Sequence, residues 1–298
     1  MPSPEHDAFV ELLSEGGLFP SADEVLDVPR LRAEMEAMTA MSALPDGWVA
    51  DPITAGGVGG EWLHSAPSDD GRVLLYLHGG GYLLGSIATH RSLAARIAEA
   101  AGIRALIIDY RLAPEHPFPA ALEDVLAAYD FLLDRRFEPQ NIAIGGDSAG
   151  GGLAIASLIA LRDSGRPLPE AAIALSPWTD LEVTGDSVET RVDPMIRSRE
   201  DLLATASLYL NGADPRTPTA SPLYGDLAGL PAIAIQVGTA ERLLDDSTRI
   251  ADRIRQAGGQ VELTIFEGLT HVFQSLAPHV PESLDAIGKL GTFLERHL

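Results

Sequence analysis

The chain has 298 residues, 46% hydrophobic and 21% charged, and its 43 acidic against 21 basic side chains give a formal net charge of −22. That length lets one large domain or two small ones bury an adequate core, and with no cysteine there is no disulfide, thiolate metal site or Cys nucleophile. Such an acidic balance repels nucleic-acid phosphates and anionic lipid surfaces, so neither a nucleic acid nor a membrane is expected as a partner.

Met1 to Asp7 has neither a basic nor an apolar leader pattern, and the longest apolar stretch, Ile142 to Leu161, is interrupted by Asp147 and by the glycines between Gly146 and Gly152. A cytoplasmic protein is expected. Lys289 is the single lysine.

Residues 1–45 do not read as part of a sheet; Leu31, Met35, Met38 and Met41 or Ser42 recur there at helical spacing. Trp48 to Ile53 and Gly60 to His64 read as two strands of an antiparallel edge. From Val73 onward, short apolar runs alternate with helical patterns, as in a mostly parallel sheet with crossover helices. The predicted strands are Val73 to Leu77, Ala105 to Ile108, Ile142 to Ile144, Ala171 to Leu175, Ala232 to Val237 and Val261 to Phe266. The helices between and after them are predicted at Thr89 to Ala101, Ala120 to Leu133, Ala149 to Arg162, Leu243 to Ala257 and Ser283 to His297. Residues 181–223, rich in charge, Pro and Thr, break the alternation, with one helix near Glu200 to Leu210. The pattern is a single α/β domain, 46–298, with an insertion at about 181–223 and a helical segment, 1–45, ahead of it.

Gly146-Asp147-Ser148-Ala149-Gly150 lies between a predicted strand and a predicted helix. A serine thrust out at so sharp a turn needs glycines two residues to either side, which makes Ser148 a candidate nucleophile. Gly185-Asp186-Ser187 repeats the triplet without the flanking strand and helix or the last glycine. His78-Gly79-Gly80-Gly81-Tyr82 directly follows the strand Val73 to Leu77. Three glycines leave backbone N–H groups uncovered, two of which can point at a developing oxyanion; a phosphate loop would need a different ending and spacing.

A serine nucleophile needs a base late in the chain. His271 leaves the last predicted strand at its carboxyl end, where sites of open α/β sheets collect, whereas His279 and His297 read as solvated and His116 as structural. The orienting acid should follow the strand ending at Val237. Glu241 is nearest to it; Asp245 and Asp246 read as first-turn acids of the next helix.

These segments, with Asp109-Tyr110-Arg111-Leu112-Ala113-Pro114-Glu115-His116-Pro117, Ser176-Pro177-Trp178 and Gly268-Leu269-Thr270-His271, resemble the bacterial hormone-sensitive-lipase-like (family IV) esterases. In that family the acid is commonly Asp in an Asp-Pro-Leu triplet, and here Glu241-Arg242-Leu243 stands in its place. The resemblance implies the α/β-hydrolase fold, a mostly parallel sheet of about eight strands flanked by helices, with a helical cap built from residues 1–45 and the insertion.

It further implies a catalytic triad of Ser148, His271 and Glu241 and an oxyanion hole of the Gly80, Gly81 and Ala149 N–H groups. Tyr82, Asp147, Met38 and Met41 are assigned to substrate binding. The implied activity is serine carboxylesterase action on small-molecule esters of short to medium acyl chain, without a cofactor or metal, with a homodimer common among similar enzymes. An amidase with the same triad and a noncatalytic small-molecule receptor on the same fold are the alternatives.

Overall fold

The structure, a computed structural model, describes residues 1–16, 27–39, 43–65, 71–196 and 198–298. Two helices come first, α1 (Pro4–Gly16) and α2 (Val28–Thr39). The antiparallel hairpin β1 (Trp48–Ala55) and β2 (Val58–Ser65) follows, turning at Gly56 and Gly57, whose φ values of 61° and 94° suit a two-residue hairpin loop.

Then strands and helices alternate: β3 (Val73–Leu77), α3 (Ile87–Ala100), β4 (Arg104–Ile108), α4 (Ala120–Asp134), β5 (Ile142–Asp147), α5 (Ala149–Asp163) and β6 (Ala171–Leu175). The insertion contributes α6 (Ser187–Thr190) and α7 (Arg199–Leu210), before β7 (Ala232–Gly238), α8 (Leu244–Gln256), β8 (Val261–Phe266) and α9 (Pro281–His297). The chain thus has an eight-stranded, mostly parallel sheet in the order β1-β2-β4-β3-β5-β6-β7-β8, the α/β-hydrolase arrangement. Among the described residues, no helix is long and apolar enough to cross a membrane.

All five residues of β3 and of β6 are buried, as strands covered on both faces require. Strand alternation sorts the core. Leu75, Leu106, Ile144, Ala172 and Ile235 pack with α4, α5 and α8 on one face, whereas Leu74, Ile107, Ala143, Ile173 and Ala234 pack with α3 and α9 on the other.

Two predicted boundaries move for local reasons. Helix α3 begins before Thr89 because Ser86 caps it: its Oγ accepts the Thr89 N–H, and the Thr89 hydroxyl receives the Ser86 N–H in return. Strand β5 runs past Ile144 to Asp147. A Cβ at Gly146 would stand 2.3 Å from the Leu77 carbonyl oxygen, so the glycine there is what lets two parallel strands stay paired.

The sheet changes direction between β3 and β5, with β4 on one side and β6 on the other. Loops leaving the carboxyl ends of strands at such a point open a crevice. Over this end lie α2, whose Arg32 donates to the Leu83 and Ala113 carbonyls, and α7, whose Tyr209 stacks on Tyr82.

Candidate active site

Ser148 sits at the turn from β5 into α5 with φ 53° and ψ −120°, a region that a residue with a Cβ enters only when its surroundings hold it there. The surroundings do so. Its N–H donates to Leu175 O (2.8 Å), and its own carbonyl receives the Gly152 and Trp178 N–H groups (3.0 and 2.9 Å). A Cβ at Gly150 would be 2.1 Å from Leu77 O, which is why the turn needs glycine on this side as well.

The loop after β8 brings His271 to Ser148 from 123 residues away. Ser148 Oγ donates to His271 Nε2 at 2.9 Å, and His271 Nδ1 donates to Glu241 Oε2 at 3.0 Å. Glu241, in the β7–α8 turn, is 0% exposed and His271 9%, while Ser148 stays partly open to solvent. The remaining oxygen of Glu241, Oε1, accepts from Gly238 N–H (2.5 Å) and Ser176 Oγ (2.9 Å). Burial works against a charge on His271, but the hydrogen bond and negative charge of Glu241 outweigh it and hold the imidazole pKa above its ordinary value.

Asp245 and Asp246 face elsewhere. Asp245 accepts the Ser187 N–H at 2.9 Å, and Asp246 accepts the Thr179 and Asp180 N–H groups at 2.7 and 2.9 Å. Asp246 is more than a helix-turn acid, since it is buried and pins the strand-leaving chain after β6.

The glycine loop between β3 and α3 takes Gly80 and Gly81 to φ 110° and 64°. Among the described residues, no protein group accepts from the N–H groups of Gly80, Gly81 or Ala149. Beneath the loop, His78 Nδ1 donates to Gly79 O (2.8 Å) and its ring stacks on Tyr110 at 4.2 Å. Burial lowers the His78 pKa to about 3, so the loop rests on a neutral imidazole.

Two of the residues assigned to substrate binding are turned away from the crevice. Asp147 is 2% exposed; its Oδ1 accepts from Tyr76 OH (2.8 Å) and Gly79 N–H (3.2 Å), and Oδ2 lies 3.3 Å from His90 Nε2. Strand alternation sends this last residue of β5 to the α3 and α9 face, where it anchors the glycine loop from below. Tyr82 is buried between Tyr209, at 3.7 Å and nearly coplanar, and Trp178, at 6.2 Å. It packs the loop against α7 rather than lining the opening. Met41 and Ser42 lie outside the described residues, as does the Met38 side chain; Leu31 of the same stripe is buried in α2.

Of the other late or loop histidines, His279 lies on the surface as expected, whereas His297, expected to be solvated, is half-buried against Phe293, and the His116 side chain, expected to be structural, is exposed. Ser187, in the repeated triplet, donates to Arg242 O and is buried. Ser176 went unassigned in the sequence. It is fully buried with φ 46°, donates to Glu241 and accepts the Val272 N–H at 3.2 Å, bridging the acid turn to the His271 loop. Its place after β6, beside Pro177 and Trp178, was the available signal.

A model of the alpha/beta hydrolase fold matches residues 74–275. The chain is 47% identical to an acetyl-hydrolase of Streptomyces hygroscopicus over 82% of each protein, and 35% identical to an esterase of Acinetobacter venetianus over 81% of this chain and 80% of that one. A crystal structure of an esterase from the bacterial hormone-sensitive lipase family superposes with a TM-score of 0.94 at 44% identity, covering 100% of this chain and 99% of the other. The structure of EstE5 soaked by p-nitrophenyl butyrate gives 0.93 at 42% identity, covering 99% of each. With a serine at a strand-to-helix turn, an imidazole on its hydroxyl and this degree of likeness, the chain belongs to the bacterial hormone-sensitive-lipase-like family of α/β-hydrolases and is a carboxylic ester hydrolase.

Proposed function

We propose that the enzyme cleaves small esters of short to medium acyl chain through an acyl-enzyme on Ser148. The observation that carries the reading is the unbroken chain Ser148 Oγ to His271 Nε2, and His271 Nδ1 to Glu241 Oε2. Ser148 Oγ attacks the ester carbonyl as His271 takes its proton; the carbonyl π electrons move onto oxygen, and the C–O bond to the alcohol breaks as His271 returns the proton to the leaving oxygen. Water, deprotonated by His271, then releases the acid and restores Ser148. Glu241 keeps the proton on Nδ1, so that Nε2 is free to accept.

The Gly80, Gly81 and Ala149 N–H groups receive the oxyanion. Their freedom from other acceptors supports this, and each such donor is worth about 2.7–4 kcal/mol in the transition state. Residues 1–45 and 181–223 form a cap over the crevice; the Arg32 contacts of α2 and the Tyr209 stack of α7 support that division. The p-nitrophenyl butyrate of the EstE5 structure and the acetyl-hydrolase name of a relative support the short-chain substrate class.

A fluorophosphonate added to the native enzyme is expected to modify Ser148 and abolish turnover, because a base-activated hydroxyl reacts fastest. Peptide mapping that finds the adduct on Ser176 or Ser187 instead overturns the assignment.

A further inference from the structure

A second buried carboxylate approaches the triad from the insertion. Asp193 lies between α6 and α7, is 4% exposed, and forms no part of the chain of bonds described above. Its Oδ1 accepts the Met195 and Ile196 N–H groups (2.9 and 3.3 Å), which folds the insertion into a tight turn. Its Oδ2 reaches out of that turn to accept the N–H of Arg242 at 3.2 Å, the residue immediately after Glu241. Arg242 completes the clasp: Nε donates to Ile196 O at 2.8 Å and Nη1 donates to Val188 O. Ser187 adds a further tie, donating to Arg242 O at 2.6 Å and accepting the Asp245 N–H at 3.0 Å.

Resting on the triad reading above, we propose that Asp193 is a positioning residue for the esterase: it fixes the Glu241–Arg242 turn from the insertion and places a second carboxylate beside that turn. Anchoring the insertion alone would need only Oδ1. The use of Oδ2 on the acid-bearing turn makes the placement of Glu241 depend on the insertion's being seated. Burial raises the Asp193 pKa above its ordinary value, and the charge of His271 and the three N–H donors offset part of that rise in favour of the ionised carboxylate. The carboxylates whose negative charge acts on His271 are Glu241 from the β7–α8 turn, with which it is hydrogen-bonded, Asp193 from the insertion and, from below the glycine loop, Asp147 at the end of β5; His6 of α1 packs one residue away, with Nε2 3.1 Å from Thr270 Oγ1. All three carboxylates favour the imidazolium that forms as Ser148 attacks.

The test uses the full-length enzyme and p-nitrophenyl butyrate. Asp193→Asn is expected to lower kcat roughly tenfold with KM little changed, since a slightly misplaced acid misorients the base. It should also move the acid limb of the kcat/KM profile to lower pH by about half a unit or more, because a neighbouring charge is gone. Asp193→Ser, which keeps a turn-capping oxygen without the charge, should give the same displacement and serves if the amide variant does not fold. Ser187→Ala breaks ties of the same clasp without altering charge, and its acid limb should stay at the wild-type position.

An acid limb unmoved in both Asp193 variants, or moved equally by Ser187→Ala, overturns the proposal. Phosphonate labelling of wild-type Ser148 separates this from the larger reading: a wild-type Ser148 that takes no label overturns the triad and the proposal together.

Discussion

Glu241 is a buried carboxylate whose two oxygens have separate employment, one on His271 and one on the Gly238 N–H and Ser176 hydroxyl. A glutamine satisfies the second set but offers no charge to the imidazolium and permits the wrong tautomer. Glu241→Gln should therefore lower kcat by on the order of 10³–10⁴ with an unchanged fold, as measured by steady-state turnover and circular dichroism. A loss under tenfold would mean that another group orients His271. Because Glu241 raises the pKa of His271 above the ordinary 6.5, and the base must be unprotonated, activity should decline as pH falls through a midpoint above 6.5. An unperturbed imidazole would put that decline at roughly 6 to 7. A kcat/KM profile with its acid midpoint at or below 6.5 would contradict the buried pair. Ser148 and His271 could be singled out because glycine spacing and position after a strand are written in the chain. Ser176 could not, since its role depends on a positive φ and on the approach of two loops. Asp147 was misjudged because it neighbours the serine in sequence, while strand alternation sends its side chain to the opposite face.

At the level of elements, the glycine loop between β3 and α3 is held on every side. Asp147 and His78 hold it from below, Arg32 takes the Leu83 carbonyl, and Thr205 of α7 comes so near Gly81 that an added Cβ would meet its Cγ2 at 2.9 Å. At Gly80 a Cβ would stand 2.3 Å from the Leu84 carbonyl oxygen, at a φ of 110°. Gly80→Ala should consequently displace the loop and cost about 10²–10³ in kcat, the cost of one lost oxyanion donor, together with a lower melting temperature. Near wild-type turnover in that variant would remove Gly80 from the oxyanion hole. The strands and the helices between them were legible to within three residues at each end, though not α6 in the insertion, because buried parallel strands are short unbroken apolar runs and the helices between them are bounded by Gly, Pro and Ser. What composition could not supply were the ends set by particular pairs, such as the Ser86–Thr89 cap of α3 and the glycines that carry β5 to Asp147.

Over the whole molecule, the amino-terminal segment is bound to the catalytic loops and to α9 and α3. His6 meets Thr270, Ser3 donates to Glu282, and Arg32 bridges the Leu83 and Ala113 carbonyls and the Glu115 carboxylate. Deleting residues 1–45 should lower kcat/KM for butyryl to octanoyl esters far more than for acetyl esters and promote aggregation through the uncovered apolar surface. An acyl-length profile and light scattering check both, and a well-behaved truncation with the wild-type profile would place the segment outside the pocket. The wide separation of Ser148, Glu241 and His271 along the chain has a further consequence for refolding. Each stands at the end of a different strand, and the 123-residue separation of Ser148 from His271 spans two helices of the insertion and three strands. Contacts of such sequence separation form late, after local helices and neighbouring strand pairs. Recovered turnover is then a stricter report of native structure than recovered helicity, since a molecule with all its helices but an undocked β8 has no base beside its serine.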